Sequence, residues 1–292
     1  MPVKSKKKTK KLYTLRELER LAYELREDVI KMLVEAGSGH SAGPLDLAEF
    51  FAVMYFHVLN HDPKKHDWED RDRLCMSCGH VAPIRYAAMI KAGYLPESEL
   101  MTLRKYGTKL QGHPGIQEWP AVEHSSGPLG QGISVAIGMA KAAMMDNKKH
   151  WVYCLTSDGE QEEGQMWEAA MFAGNNKLGN LIAFMDRNFI QIDGPTEDVM
   201  PLEPLKKKWE AFNWHVIEVD GHNVEQIIDA VNTAKAITEK PTMIIMYTIP
   251  GKGVSFMEYD YTWHGKPPKS EEAKIALKEL RTLKGKIVGE HE

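Results

Sequence analysis

Trp151 to Gly194 reads WVYCLTSDGEQEEGQMWEAAMFAGNNKLGNLIAFMDRNFIQIDG, and the fold follows from it. Trp151 to Thr156 is a short apolar run rich in β-formers and followed by Ser-Asp-Gly, the pattern of a buried strand that ends in a turn. Gln165 to Asn176 carries Met166, Ala169, Ala170 and Ala173 at helical spacing. Leu181 to Met185 is a second apolar run, closed by Asp186-Arg187-Asn188. Strand, helix and strand at this length form a βαβ unit, so the sheet is parallel and the class is α/β. Ligands of such sheets bind beyond the carboxyl ends of the strands, and the crossover brings Asp158 and Asn188 to that mouth. A carboxylate, an amide oxygen and a nearby backbone carbonyl leave positions for water and phosphate oxygens, the way Mg²⁺ is held on a diphosphate. Gly159 lets backbone approach a phosphate, since no Cβ intervenes. Ser-Asp-Gly alone is ordinary turn chemistry; Asn188 at this spacing across the unit favours the ligand reading.

The chain of 292 residues, 43% hydrophobic and 27% charged, suits one large α/β core. A formal charge of −4 gives no nucleic-acid footprint. Cys75, Cys78 and Cys154 form no disulfide framework, which makes a reducing cytoplasm the default; Cys75 and Cys78 have metal-like spacing but no second pair. No run reaches transmembrane length, so no membrane partner is expected. KSKKKTKK at residues 4–11 is basic, and no apolar stretch follows it as a signal peptide requires. The organisation expected is a basic disordered arm over 1–13 and a single domain over 14–292, without repeats or linkers.

Further along, Leu15 to Glu35 is a helix pattern that Thr14 can cap. A small-residue loop, Ser38 to Pro44, precedes an apolar helix over Leu45 to Leu59. Arg73 to Ser77 reads as a strand and Val81 to Lys91 as a helix, which puts His80 at a strand end and helix start, a place to meet phosphate. Gln111-Gly112-His113-Pro114-Gly115 frames another histidine. Glu123 to Gly132 leads into a helix of small residues ending near Met145. His215 to Asp220 and Met243 to Ile249 supply two more strands, followed by Pro250-Gly251-Lys252-Gly253 and Trp263-His264-Gly265. Glu271 to Leu283 is a charged amphipathic helix. A lone loop histidine is ordinarily a surface residue. Four of the 12 histidines (His40, His80, His113 and His264) sit in Gly- or Pro-bearing loops, where a rigid scaffold positions function.

The Asp158-Gly159 to Asn188 stretch resembles the diphosphate-binding motif of thiamine-diphosphate enzymes, with Ser157 where the family usually has a first Gly. Ser38-Gly39-His40, Ser77-Cys78-Gly79-His80, Gly112-His113-Pro114, Gly127-Pro128-Leu129-Gly130-Gln131-Gly132 and His264-Gly265, in this order, look like the cofactor-binding N-terminal half of transketolase. The likeness runs from about Leu15 to Gly265, and the His80 and His113 loops favour transketolase over deoxyxylulose-phosphate synthase.

The resemblance implies a doubly wound, mainly parallel sheet flanked by helices, thiamine diphosphate as cofactor, and Mg²⁺ (or Ca²⁺ or Mn²⁺) on Asp158, Asn188 and the Ile190 carbonyl. It implies transfer of a two-carbon ketol unit from a ketose phosphate to an aldose phosphate, with the cofactor taking up electrons during C–C cleavage. His40 and His264 would contact the donor's reacting oxygens, and His113 the sugar hydroxyls. His80 and His264 would lie near the diphosphate, with Gly159 and Asn188 touching it. Gly127, Pro128, Leu129 and Gly130 would approach the cofactor, Leu129 as a wall to its rings. Glu163 fits a carboxylate network between two cofactor sites, with Glu162 as its solvated neighbour. Lys252 either approaches phosphate or is solvated.

A full transketolase is more than twice as long, and its other domains hold the pyrimidine ring and the activating glutamate. A separate C-terminal subunit, two of each in a heterotetramer, is therefore expected, in the pentose phosphate pathway of the cytoplasm. The rivals are a deoxyxylulose-phosphate-synthase-like or 2-oxoacid dehydrogenase-type subunit, and a non-catalytic cofactor-binding assembly subunit.

Overall fold

Side-chain alternation along the central strands creates two cores. The computed structural model describes residues 13–289, so the arm expected over 1–13 lies outside the described residues except for Tyr13. Strands β1 (Arg73–Met76), β2 (Val152–Ser157) and β3 (Leu181–Arg187) run parallel, a small hairpin pairs β4 (Ile190–Gln191) with β5 (Gly194–Pro195), and β6 (His215–Asp220) and β7 (Thr242–Tyr247) complete the main sheet. Its order is β1-β2-β3-β7-β6, all parallel. On one face Tyr153, Leu155, Ile182, Phe184, Ile244 and Met246 join one apolar cluster; on the other Val152, Cys154, Leu181, Ala183, Met185, Met243 and Ile245 join a second. Strands buried on both faces read as continuous apolar runs, as β2 and β3 do.

The first face is covered by α1 (Leu15–Ala36), α2 (Ala42–Asp46), α3 (Ala48–Val53) and α4 (Ala82–Lys91); the second by α5 (Gly132–Met145) and α6 (Gly164–Asn175). A short α7 (Thr196–Val199) follows the hairpin, and α8 (Leu205–Ala211) packs on the second face. The helix α9 (Val224–Ala236) returns to the first face and α10 (Ser270–Gly289) lies along α1. This is the doubly wound sheet expected.

Local chemistry explains the main helix. Thr14 accepts from Glu17 N while Glu17 accepts from Thr14 N at 2.8 Å, a reciprocal cap. The helix stops at Gly37, whose φ of +63° is left-handed. The apolar helix expected over Leu45 to Leu59 differs: helical structure begins at Ala42, breaks at Leu47 and widens into a π-turn over Met54–Val58, the Leu59 N–H reaching back to the Met54 carbonyl at 2.8 Å. Uniform burial leaves no periodicity from which such a break could be read. The three cysteines are free and buried, and no described helix is long and apolar enough to cross a membrane.

Candidate active site

Loops from far apart in the chain meet over the carboxyl ends of the strands. His40 follows α1, His80 sits in the turn Gly79–Val81 between β1 and α4, and His264 follows the turn Tyr261–Trp263. Their ring centroids form a triangle with sides of 5.1 Å (His40–His80), 5.6 Å (His40–His264) and 5.2 Å (His80–His264). His113 stands beside them against Gly127, where an added Cβ would lie 3.4 Å from the imidazole Cδ2.

Burial lowers the pKa of all four rings. His40 is pushed down to about 4, with His264, His113 and Arg104 adding to the effect. His80 falls well below the ordinary value through burial and then its neighbouring imidazoles, and His113 through burial and then Arg104; burial alone lowers His264. Neutral imidazoles at pH 7 each offer one donor and one acceptor. His264 Nδ1 is buried and has no hydrogen-bond partner among the described residues, so it is a polar atom free for a bound molecule.

The Gly127–Gly132 loop is pinned from below. A Cβ on Gly79 would stand 2.8 Å from both Gly127 N and Ser126 Oγ, so only glycine lets the His80 turn meet this loop. Gly130 N donates to Glu160 Oε1 at 2.5 Å, and Gly132 N to Ser77 Oγ at 3.0 Å. The Gln165 side-chain amide donates to the Leu129 carbonyl at 2.8 Å. Leu129 is half-buried at the core's edge and Pro128 is exposed.

Asp158 and Asn188 lie at adjoining strand tips, as the βαβ reading requires. Asp158 N donates to the Asp186 carbonyl at 3.0 Å, and Asp158 Oδ2 accepts from Phe189 N at 2.7 Å and from Arg187 Nη1 at 3.1 Å. Burial raises the Asp158 pKa to about 6 against the opposing pull of Arg187. Asn188 Oδ1 accepts from Ile190 N at 3.1 Å, while its amide donates to Asp46 at 3.0 Å and to Asp186 at 3.1 Å. Burial also raises both of these carboxyls, Asp186 to about 7. A carboxylate, an amide oxygen and a backbone carbonyl are hard donors of the kind that suits a Mg²⁺-type cation, and the buried Asp46 carboxyl hydrogen-bonded to the Asn188 amide keeps one oxygen without a partner among the described residues. Gly159, with nothing nearer its Cβ position than Gln191 Cβ at 3.5 Å, leaves the approach open.

The acidic turn holds a residue that no sequence pattern marks. Glu163 is exposed, whereas Glu160 is fully buried and accepts from Ser77 Oγ, Gly130 N and Ser157 N. Burial raises its pKa to about 7 against those donors. Its neighbours Ser77 and Gly130 are remote in sequence, which is why sequence reasoning misses it. Glu162, only partly buried, accepts from Gln191 Nε2 at 2.7 Å. Ile192 is missed in the same way: it is 64% exposed, yet its Cδ1 and His40 Nε2 stand 3.4 and 3.8 Å from the Cβ position of Gly265, beside the histidines. Lys252 lines a cleft of about 520 Å³ with Asn188, Ile190 and His222.

Comparison with known proteins identifies the family. Residues 19–284 match the family model "Transketolase, thiamine diphosphate binding domain". The chain is 44% identical over 264 residues to a 6-deoxy-6-sulfo-D-fructose transketolase subunit of Clostridium sp. (strain MSTE9), covering 90% of this chain and 96% of that one. It is 40% identical over 266 residues to an apulose-4-phosphate transketolase subunit of Actinobacillus succinogenes, covering 91% and 96%. Transketolase from Campylobacter jejuni superposes with a TM-score of 0.83 at 32% identity, over 95% of this chain and 48% of the other. This chain therefore belongs to the transketolase family, as its N-terminal, thiamine-diphosphate-binding part, and corresponds along nearly its whole length to that family's separate N-terminal subunits.

Proposed function

We propose that the chain transfers a two-carbon ketol unit from a ketose to an aldose, each carrying a terminal anion, and does so with a separate C-terminal subunit. The observation that carries this reading is the triangle of neutral imidazoles standing beside the pinned glycine loop and the Asp158–Asn188 tips. Thiamine diphosphate, when bound, supplies the electron sink for C–C cleavage. The protein's task is to hold it, exclude water and move protons. Asp158, Asn188 and the Ile190 carbonyl would hold Mg²⁺, and Gly159, Asn188, His80 and His264 the diphosphate. Gly127, Pro128, Leu129 and Gly130 would flank the cofactor's rings. His40 and His264 would exchange protons with the donor's reacting oxygens, a role for which neutral imidazole with one donor and one acceptor is suited. His113, the most exposed of the four, would hold the sugar hydroxyls.

The named relatives act on 6-deoxy-6-sulfo-D-fructose and apulose 4-phosphate, sugars with a terminal tetrahedral anion, and this supports substrates of that class. The match to about half of a full-length transketolase supports a second polypeptide. So does an apolar surface on α5 and α6, where Met144, Met145, Met171 and Phe172 are 43%, 72%, 60% and 49% exposed. A heterotetramer with two copies of each subunit would let Glu163 meet its counterpart between the cofactor sites. The cytoplasm and the pentose phosphate pathway are the setting we infer.

Alone, the purified chain should turn over little or no xylulose 5-phosphate with ribose 5-phosphate; mixed with its C-terminal subunit it should do so readily. Full turnover by the lone chain refutes the split reading, and pyruvate-dependent condensation would favour a deoxyxylulose-phosphate-type enzyme instead.

A further inference from the structure

A buried arginine behind the metal set has no part in the scheme above. Arg187 closes β3 and its side chain is shut off from solvent. Its Nη1 donates to Asp158 Oδ2 at 3.1 Å and to Thr196 Oγ1 at 2.7 Å, and its Nη2 donates to Glu197 Oε1 at 2.7 Å and to Glu203 Oε1 at 3.1 Å. One guanidinium thus pairs with three carboxylates: Asp158 just past β2, Glu197 on α7 and Glu203 just after it. The excess of negative charge leaves Asp158 able to serve a second cation, while the planar fork fixes where its oxygens stand.

The face of the same guanidinium is in use as well. Its Cζ lies 4.0 Å from the ring centroid of Phe189, within cation–π range. Phe189 stands between Asn188 and Ile190 and adopts φ +65°, a left-handed conformation that a bulky side chain keeps only where its surroundings impose it. Both of its backbone groups are committed: its N–H donates to Asp158 Oδ2 at 2.7 Å, and its carbonyl accepts from Thr196 N at 2.9 Å. Tyr247 also stacks on the ring, with centroids 6.1 Å apart. The ring is 41% exposed, so core packing does not hold the turn in this shape. Arg187 does, since Asp158, Thr196 and the Phe189 ring are all its partners.

We propose that Arg187 is a positioning residue for the cation: through Nη1 it aims Asp158, and through the Phe189 ring it holds the Asn188–Ile190 turn, so that the three donors are in place before a metal arrives. This rests on the proposed function, which makes Asp158, Asn188 and the Ile190 carbonyl the holders of Mg²⁺. Arg187 is itself no ligand and acts through its neighbours. The sign of its effect is diagnostic. A positive charge beside a cation site repels the cation, so on charge alone its removal would tighten metal binding. Glu197 and Glu203 already offset that charge, so what removal takes away is the arrangement, and binding weakens.

The test titrates Mn²⁺, followed by electron paramagnetic resonance, into the metal-stripped complex of this chain with its C-terminal subunit at saturating thiamine diphosphate. Arg187→Met should raise the Kd for Mn²⁺ roughly ten- to hundredfold, the scale of a lost charge-assisted contact, and Arg187→Lys should recover part of it. Phe189→Leu keeps apolar bulk and gives up the cation–π face, and should raise the Kd about two- to fivefold. In the Arg187→Met background Phe189→Leu should add nothing, because ring and guanidinium act as one unit. Folding is read separately: with EDTA present, Phe189→Leu should melt close to wild type, as changes at exposed side chains do, so its weaker Mn²⁺ binding is not lost structure. Should Arg187→Met fail to fold, Arg187→Lys and Phe189→Leu decide the matter between them. Mn²⁺ binding undiminished in Phe189→Leu, unchanged or tighter in Arg187→Met, or additive losses in the double variant overturn the proposal. No sugar enters these titrations. A complex with the expected Mn²⁺ losses that transfers no ketol group would sustain this assignment while sinking the ketol-transfer reading. An active complex whose Mn²⁺ affinity ignores both substitutions would do the reverse.

Discussion

Asp158 accepts three hydrogen bonds, from Gly159 N, Phe189 N and Arg187, while buried, so its carboxylate is aimed by the fold and not by a ligand. Replacing it with alanine removes the one carboxylate of the proposed metal set. Asp158→Ala should abolish Mg²⁺-dependent binding of thiamine diphosphate in calorimetry; unchanged affinity would defeat the assignment. Titration gives a second test at this scale. His40 falls from 6.5 in the unfolded chain to about 4 in the fold, so between those values the unfolded chain binds the extra proton. Its contribution to stability is therefore whole above pH 6.5 and is lost as pH falls toward 4. Asp158 and Asp186, raised by burial, work in the opposite direction over much of the same range. The histidine's part is isolated by difference: relative to wild type, His40→Gln should be more stable at pH 5 than at pH 7.5 in urea unfolding. A difference independent of pH would mean that this ring titrates normally. His40, His80, His113 and His264 were legible in sequence because glycine and proline frame each loop. Glu160 was not: in Asp-Gly-Glu-Gln-Glu-Glu the pattern draws attention to Asp158 and Glu163, and only contacts to Ser77 and Gly130, far off in sequence, single out Glu160.

Between elements, Glu160 ties β1, β2 and the Gly127–Gly132 loop to one carboxyl group. Glu160→Ala leaves Gly130 N and Ser157 N without their acceptor, a loss of about 1–3 kcal/mol for a buried donor. It should lower the melting temperature and raise the KM for thiamine diphosphate. Glu160→Gln keeps an acceptor on one side and should recover part of both; cofactor affinity indifferent to either substitution would show that the loop holds itself. The elements differ in how openly the sequence announces them. The βαβ unit and α1 are plain because period and capping agree, as Thr14 and Glu17 do. The helix α9 escapes the sequence reading although Val224, Ile227, Ile228, Val231 and Ala234 carry helical spacing and Asn223 caps it. The break at Leu47 is beyond reading, because a segment buried all round has no polar face to mark its turns. The β4–β5 hairpin is two residues a side, too short for any pattern to register.

For the molecule as a whole, the surface of α5 and α6 is the place where assembly should be vulnerable. Met171 and Phe172 are exposed and pack little within the chain, so Met171→Glu should leave the melting temperature of the lone chain nearly unchanged, as exposed substitutions do. In size-exclusion chromatography with the C-terminal subunit, the variant should fail to co-elute; intact co-elution would move the interface elsewhere. The triangle of imidazoles carries a consequence in time as well as in space. Its corners come from before the first strand, after the first strand and after the last, so no partial chain and no half-folded intermediate can hold all three. Contacts of such long sequence separation close late and slowly. On refolding, coenzyme capture should lag behind the recovery of helical circular dichroism, and the last tens of residues to join the sheet become the clock that times the arrival of a working pocket.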